Sequence, residues 1–268
     1  MTETAIRSNC LRAGYSQTTL INESQIRIPK GQITVLLGAN GCGKSTLLRT
    51  LAGLHPKQAG EIWIGNQTLE SIPLKQLAQM MAFLPQHPAA PETLTVSELV
   101  MLGRYPYRRS FLPPTEADKQ AVLKALADTD LEVLADRSLG SLSGGQRQRA
   151  WLAMVLAQDT DILMLDEPTS YLDLSHQYEL LNLIRKLNRH HRKTILVVLH
   201  ELNQAFEFAD QLIFMKAGKI IAQGSPGETV SEALISRTFN LRCQIHPHPE
   251  AGCPLIIPLE GKYADNRP

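Results

Sequence analysis

The pattern of apolar and polar positions along the chain alternates between two regular types. Short apolar runs bounded by turn-forming residues predict strands at 33–37, 62–64, 80–84, 162–165, 194–199 and 211–215. Between these runs, leucine and isoleucine recur with helical spacing at positions 180, 183, 184 and 187, and the segment 150–157 is apolar on all sides. Strands that alternate with helices predict an α/β fold with a mainly parallel sheet.

The middle of the chain lacks this alternation. From about residue 88 to 136 no convincing strand pattern occurs, whereas helical patterns do, and two prolines before Thr115 and Glu116 are typical of a helix start. We therefore expect a helical subdomain, about 88–158, inserted in a domain of residues 1–240. Residues 241–268 form a Pro-rich extension, for which we expect irregular structure.

This extension contains two cysteines and two histidines that could in principle hold a zinc ion. They are Cys243, His246, His248 and Cys253. Their spacing matches no common zinc module and prolines interrupt it, so we expect an ordinary tail instead of a metal site. Together with Cys10 and Cys42, these cysteines do not form a pattern typical of a disulfide framework.

The composition narrows the functional classes. The 268 residues, 43% of them hydrophobic, are enough for one large domain or one domain with an inserted subdomain. Lys and Arg number 27 against 26 Asp and Glu, a net charge of +1, so no nucleic-acid partner is expected. No apolar run reaches the roughly 18–20 residues of a membrane span, and the N-terminus lacks signal-peptide features. These properties predict a cytosolic protein that can sit on a membrane partner.

Residues 38–45, GANGCGKS, match the phosphate-binding loop G-x-x-x-x-G-K-[ST]. A predicted strand precedes them and a helix follows, so backbone N–H groups and the helix N-terminus can surround phosphate oxygens. We expect Lys44 to reach the β- and γ-phosphates of ATP, the Ser45 hydroxyl to bind Mg²⁺, and Cys42 to be a small loop residue, not a nucleophile. The alternative is a glycine-rich turn that only resembles such a loop. The predicted ATP-binding residues here are Gly38, Ala39, Asn40, Gly41, Cys42, Gly43, Lys44, Ser45 and Thr46.

An acidic pair follows the predicted strand 162–165. Asp166 can hold Mg²⁺ directly or through water, and Glu167 can orient and polarise an attacking water molecule. Two acidic residues at a strand end are common by themselves. Together with the phosphate-binding loop, they predict a P-loop nucleotide hydrolase that uses ATP and Mg²⁺.

The sequence LSGGQ, shortly before the acidic strand, narrows the family. Its residues are Leu142, Ser143, Gly144, Gly145 and Gln146. It resembles the signature of ATP-binding cassette (ABC) proteins, and further matches in order and spacing cover roughly residues 5–225. The resemblance implies a P-loop NTPase core with an N-terminal antiparallel β part and an inserted helical subdomain.

The resemblance also implies roles for residues outside these motifs. Tyr15 stands where an aromatic ring stacks on adenine, and Gln86 stands where a glutamine reaches ATP and Mg²⁺ and joins the core to the helical subdomain. His200 corresponds to the catalytic switch histidine, which can hydrogen-bond the γ-phosphate as a nearly neutral imidazole. Outside the family context these are a surface aromatic, a loop glutamine and a structural histidine. The D-loop corresponds to Ser170, Tyr171, Leu172 and Asp173.

In this family the signature contacts the γ-phosphate bound to the opposite protomer, so the resemblance implies a homodimer that closes during the catalytic cycle. The Ser143 hydroxyl, glycine N–H groups and a helix N-terminus are suited to an anion. Tyr171 stands where alanine is commoner, so standard dimer contacts are not assumed there. Glu201 stands where aspartate is frequent, and we expect no loss of chemistry from it.

A membrane importer and a soluble ABC ATPase that acts on DNA or ribosomes are the two classes to compare. Only about 100 residues, without sustained heptads, separate the phosphate-binding loop from the signature, which disfavours the DNA-acting types with their long coiled coils. The chain has one cassette, which disfavours the ribosome-associated types that usually carry two. Segments 95–107, 168–173 and 200–205 are similar to those of iron–siderophore importer ATPases. The resemblance implies an importer of a ferric siderophore or ferric citrate, with haem and vitamin B12 importers as alternatives.

An importer of this kind implies specific partners. They are a second copy of this subunit, two membrane permease subunits and, indirectly, a periplasmic or surface substrate-binding protein, with no nucleic acid. The expected location is peripheral, at the cytoplasmic face of the membrane. We expect segment 95–107, including Arg104 and Tyr105, to dock the membrane subunits; the alternative is an amphipathic helix that ends at a proline.

Overall fold

The chain divides into two compact units in the computed structural model, which describes residues 3–16, 18–108 and 112–259. The first unit combines the N-terminal segment up to Asn66 with the C-terminal segment from Val197 onward. The second runs from Gln67 to Leu196.

Strands and helices follow one another along the described residues. The strands are β1 (Thr4–Tyr15), β2 (Thr18–Pro29), β3 (Ile33–Gly38), β4 (Lys57–Ile64), β5 (Gln67–Thr68), β6 (Met81–Leu84), β7 (Ile162–Asp166), β8 (Thr194–Val198), β9 (Gln211–Lys216), β10 (Lys219–Gly224), β11 (Cys243–Pro247) and β12 (Pro254–Pro258). The α-helices are α1 (Lys44–Leu51), α2 (Leu74–Met80), α3 (Val96–Leu102), α4 (Glu116–Asp128), α5 (Gly144–Ala157), α6 (Leu174–His191), α7 (Leu202–Phe208), α8 (Pro226–Thr229) and α9 (Glu232–Phe239). Short 3₁₀ helices lie at Leu69–Ser71, Tyr105–Tyr107, Glu132–Leu134 and Leu139–Ser141.

The first unit contains the antiparallel N-terminal part and half of the α/β core. β1 pairs antiparallel with β2 and β4, which confirms the expected antiparallel β part. β3 pairs parallel with β9, and β9 pairs antiparallel with β10. All six residues of β3 are buried, as expected for a strand whose two faces are both covered. The predicted strands 33–37 and 211–215 are therefore confirmed.

The second unit pairs β6 with β7 in parallel and packs α3, α4 and α5 on one another. The segment predicted to be a buried helix at 150–157 lies in α5, and the predicted apolar face at 180–187 is the buried face of α6. Thr115 begins α4, as the sequence predicts, and it forms a capping box with Asp118. No helix in the described segments is both long enough and apolar enough to cross a membrane.

A buried ion pair joins the helices of this unit. Arg104, which follows α3, donates from Nε to Asp118 Oδ1 (3.0 Å) and from Nη1 to the carbonyl of Ala157 (2.7 Å). Its guanidinium carbon lies 4.0 Å from the ring centroid of Tyr107. Arg104 is only 7% exposed, so its expected place on a docking surface is wrong. Tyr105, 78% exposed, does lie at the surface.

The described part of the C-terminal extension, residues 241–259, is not irregular, contrary to expectation; residues 260–268 lie outside the described residues. β11 and β12 form an antiparallel hairpin in which Ile245 lies opposite Ile256. Cys243 and Ile256 are buried, and their apolar side chains provide the physical reason for the ordered hairpin. Prolines stand at strand ends, where they cost no ladder hydrogen bond. They interrupt the alternation of apolar and polar residues, so the sequence did not predict these two strands.

Candidate functional site

The phosphate-binding loop connects β3 to α1 in the first unit. Gly43 is the N-cap of α1 with φ 103° and has no side chain to close the helix start, so the helix N-terminus is open to an anion. Gly41 also has positive φ, and a Cβ there would meet open space. A Cβ on Gly38 would lie 2.4 Å from the carbonyl oxygen of Met215. A larger residue is thus excluded at position 38 by the nearby Met215 carbonyl, and it is disfavoured at position 43 by the positive φ.

Lys44 is folded over its own loop. Its ammonium donates to the carbonyls of Gly38 (2.8 Å) and Ala39 (3.2 Å), and the side chain is buried. An ammonium group has three N–H donors, so it can hold the loop and also bind a phosphate oxygen. Burial raises the pKa of the Cys42 thiol despite the nearby Lys44 charge, which keeps the thiol protonated at neutral pH.

Tyr15 ends β1 and is 48% exposed. Its ring centroid lies 4.6 Å from that of His55, with a 46° angle between the planes. The Nε2 atom of His55 is 2.8 Å from the Gly14 carbonyl. His55 therefore restrains both the Tyr15 ring and the backbone next to it. No local sequence signal indicates this role.

The acidic pair and Gln86 lie together in the second unit. Leu84 of β6 is opposite Leu165 of β7 in a parallel register, so the residues after both strands emerge at the same edge. Asp166 is fully buried at the end of β7. Gln86 donates from Nε2 to Glu167 Oε2, and the Ser170 hydroxyl donates to the same oxygen (3.2 Å). The structure thus brings two predicted site residues, Gln86 and Ser170, to the carboxylate of a third, Glu167.

The backbone of Glu167 contributes to this arrangement. Its φ of 53° is left-handed, a conformation rare for a non-glycine residue and common at functional sites. The Ser170 N–H donates to the Glu167 carbonyl (3.2 Å), which closes a turn after the strand. The carboxylate direction is therefore set by both the backbone and its two donors.

The signature begins α5. Ser143 is the N-cap: its hydroxyl accepts from the Gln146 N–H (3.3 Å), and Gln146 Oε1 accepts from the Ser143 N–H (3.1 Å). This capping box orders the signature within its own chain. Leu142 is buried, and a Cβ on Gly144 would meet open space.

Gly145 links the signature to the D-loop through His176. A Cβ on Gly145 would lie 2.7 Å from His176 Cδ2. His176 Nδ1 lies 2.6 Å from Asp173 Oδ1, and Asp173 caps α6 by accepting from the His176 N–H (2.9 Å). Hydrogen bonds from the backbone and side chain of His176, and from Ser175, lower the Asp173 pKa. His176 was missed because it lies outside every motif.

The rest of the D-loop faces outward. Tyr171 has φ 66° and is 86% exposed, and its ring centroid lies 5.8 Å from that of His87, next to Gln86. The Leu172 N–H donates to the Thr169 carbonyl (3.3 Å). A positive φ is uncommon for a tyrosine, and the exposed ring does not pack into the core.

His200 lies in the first unit, on the short connection between β8 and α7. Leu199 is buried and His200 is exposed. Among the described residues, no group of three or more His, Cys, Asp or Glu side chains is arranged to hold a metal ion. Ser45 in the first unit carries a hydroxyl oxygen, and Gln86 and Asp166 in the second carry amide and carboxylate oxygens. Each is a donor type that Mg²⁺ accepts.

Comparison with known proteins gives a consistent result. A family model described as ABC transporter matches residues 21–170. The petrobactin import ATP-binding protein FpuD of Bacillus anthracis is 49% identical over 254 residues, which cover 95% of this chain and 93% of that protein. The ferric enterobactin transport ATP-binding protein FepC of Escherichia coli (strain K12) is 46% identical over 261 residues, covering 97% and 96%.

The fold comparison agrees with these matches. A solved chain from an ABC transporter provisionally assigned to the metal-chelate type, in an inward-facing conformation, aligns with a TM-score of 0.84 and 30% identity. The alignment covers 96% of this chain and 98% of that one.

Proposed function

Because this chain belongs to the ABC transporter family as an ATP-hydrolysing subunit, we propose that it energises uptake of an iron(III)–siderophore complex. The observation that carries this proposal is the near-full-length identity of 46–49% to ATP-binding proteins of petrobactin and ferric enterobactin transport. The substrates named for these two relatives differ, so we propose a class of substrate for this chain and no single siderophore.

The phosphate-binding loop supports a specific assignment of roles. Lys44 and the N-terminus of α1 bind the β- and γ-phosphates of ATP, and Tyr15 stacks on the adenine. Ser45, Gln86 and Asp166 would hold Mg²⁺, which when bound neutralises phosphate charge. Glu167 orients and polarises the attacking water, and His200 hydrogen-bonds the γ-phosphate.

The signature supports a shared site. Ser143 and the first turn of α5 bind the γ-phosphate held by a second copy of the chain, because an ordered helix N-terminus is an anion site. The working unit is then a homodimer associated with two permease subunits, peripheral to the cytoplasmic face of the membrane. A substrate-binding protein delivers the iron complex to the permease.

Docking on the permease uses an exposed part of the helical subdomain, about 88–158. Leu102 ends α3 half-exposed, and Tyr105 follows it at 78% exposure. The Gln79 side chain donates to the Pro106 carbonyl (3.0 Å), which fixes the backbone beneath Tyr105. An aromatic side chain on a fixed backbone is a common anchor of protein interfaces.

The test is growth of a deletion strain on single iron sources. Loss of growth on ferric siderophores, restored by the wild-type gene and not by a Lys44→Ala gene, supports the proposal. Loss confined to haem utilisation or to vitamin B12 uptake would instead identify one of the other importer types. Unchanged growth on every iron source and unchanged vitamin uptake would contradict an importer function.

A further inference from the structure

The C-terminal hairpin packs against the helix that follows His200. β12 packs on α7 and β11 on α9, all within the first unit. The hairpin lies outside the residues matched by the family model. The nucleotide motifs therefore do not explain why this hairpin is ordered.

One side chain joins the hairpin to α7. Asn203 donates from Nδ2 to the Ile256 carbonyl (3.2 Å), and its Oδ1 accepts from the Ile256 N–H (2.8 Å). We call these two hydrogen bonds the Asn203 clamp. Ile256 lies opposite Ile245, and its backbone groups bond to Asn203, so this edge of β12 faces α7. The side-chain amide of Asn203 thus makes the two backbone hydrogen bonds with Ile256 that a neighbouring strand would otherwise make.

The clamp acts at the start of α7, close to the switch histidine. β8 ends at Val198, α7 begins at Leu202, and Glu201 is an N-cap whose side chain makes no capping hydrogen bond. α7 also buries Gln204, Ala205, Phe206 and Phe208, which hold the helix on the first unit. The Asn203 clamp adds a restraint on the first turn that comes from the hairpin.

We propose that Asn203 is a positioning residue that uses the C-terminal hairpin to fix the first turn of α7 and thereby the direction of His200 during ATP hydrolysis. This inference rests on the proposed role of His200. The clamp influences the hydrolytic step and not nucleotide affinity, because Asn203 lies outside the phosphate-binding loop and the Tyr15 region.

The experiment measures steady-state MgATP hydrolysis by the full-length protein. Asn203→Ala should lower kcat about tenfold, the scale expected when one or two net hydrogen bonds are lost, while the KM for ATP changes less than about twofold. Asn203→Asp has the same size but turns a carboxylate toward the Ile256 carbonyl, so it should lower kcat as well. Gln244→Ala, at an exposed position of β11, is the matched control and should keep the wild-type kcat.

A double-mutant cycle distinguishes positioning from general destabilisation. In a His200→Ala background, Asn203→Ala should cause no further loss of kcat, because the two residues act through one group. Amide hydrogen exchange should be faster at Ile256 in Asn203→Ala, because this variant removes the acceptor of the Ile256 N–H. Equal losses in both backgrounds, or a wild-type kcat for either Asn203 variant, would overturn the clamp and leave the proposed ATPase intact. A wild-type protein that does not hydrolyse MgATP would overturn both.

Discussion

At the scale of the residue, Glu167 combines an unusual backbone with two donors on one carboxylate oxygen. Gln86 and Ser170 both donate to Oε2, and φ of 53° sets the direction from which the side chain leaves the strand. These two hydrogen bonds hold the carboxylate in one orientation. A glutamine would keep the size of this side chain but not its basicity.

Glu167→Gln should lower ATP hydrolysis at least about 100-fold, because the amide cannot polarise water as a carboxylate does. ATP binding should persist, and the ATP-bound dimer should accumulate in size-exclusion runs with MgATP. Glu61→Gln, at an exposed carboxylate of β4, is the control and should behave as wild type. A variant that hydrolyses ATP at the normal rate, or dimerises no more than wild type, would contradict the role of Glu167.

At the scale of the element, the Arg104–Asp118 pair connects the end of α3, the start of α4 and the end of α5. Asp118 has two functions: it caps α4 through Thr115, and it pairs with a guanidinium that is almost fully buried. Arg104 also occupies the carbonyl of Ala157. Removing one charge leaves the other buried without its partner.

Arg104→Glu should therefore destabilise the protein by about 3–5 kcal/mol, because it removes the cation and places a second carboxylate beside Asp118. Urea unfolding followed by circular dichroism measures this loss. Lys124→Glu, at an exposed position of α4, makes the same change of charge and should cost much less. Equal stability of Arg104→Glu and wild type would show that the ion pair contributes nothing.

The same pair gives stability a dependence on pH. Burial raises the pKa of Asp118, but hydrogen bonds from Thr115 and Arg104 outweigh it, so the pKa lies below its ordinary value. A lowered folded-state pKa gives a contribution that is complete above the unfolded value of about 4 and is lost as pH falls through the folded value. The stability gap between wild type and Asp118→Asn should thus be largest at pH 6–7 and narrow below about pH 4. A gap that stays constant down to pH 2 would contradict the lowered pKa.

Tyr105 should contribute to docking and not to stability. Tyr105→Ala should change the unfolding free energy by less than about 0.5 kcal/mol, because the side chain is exposed. It should leave ATP affinity unchanged and reduce recovery of the detergent-solubilised complex with the permease subunits. Val133→Ala, at another exposed apolar position of the same unit, is the control. Unchanged complex recovery and iron uptake would remove Tyr105 from the docking surface.

The sequence predicted the elements whose patterns are local. Buried strands such as β3 and β7 are continuous apolar runs, and Thr115 begins α4 with the residues that favour a helix start. β1 was missed by its pattern because register shifts between Ser8 and Ala13 break the period of two. β1 and β2 were expected only from the family resemblance.

Contacts between distant segments could not be predicted in the same way. The motifs indicated Glu167 and Gln86, and the parallel register of β6 and β7 explains why the two side chains meet. His55 carries no motif, and the resemblance of segment 200–205 gave Asn203 no role of its own. Both residues act through partners that are far away in the chain. Arg104 was assigned to a surface because its burial depends on three helices packing together.

At the scale of the whole molecule, the proposed site needs two copies of the chain. The loop that binds the phosphates and the signature that completes the site then belong to different protomers. Lys44 acts in its own chain, because its ammonium already lies over its own loop. Ser143 is ordered by its capping box before any partner arrives.

Lys44→Ala should weaken nucleotide binding to the isolated subunit, whereas Ser143→Arg should leave that binding nearly intact and abolish hydrolysis. Calorimetry with ATP and an ATPase assay measure the two effects. Mixing the two variants should restore some activity, since one of the two composite sites in a mixed dimer has an intact loop and an intact signature. Equal loss of ATP binding in both variants would show that the site is not shared.

The parallel register of β6 and β7 also has a consequence for how this chain can vary. The chain leaves the sheet after Leu84 and returns to the neighbouring strand at Ile162, so the helices between them form one long connection whose ends are close together. The entropic cost of closing such a connection grows only with the logarithm of its length, and doubling the length adds about 0.6 kcal/mol. Insertions at exposed positions of this connection, away from the buried Arg104, are therefore thermodynamically cheap and leave Gln86 beside Glu167. A lineage can reshape the surface that meets a new permease while the geometry around the carboxylate stays as it is.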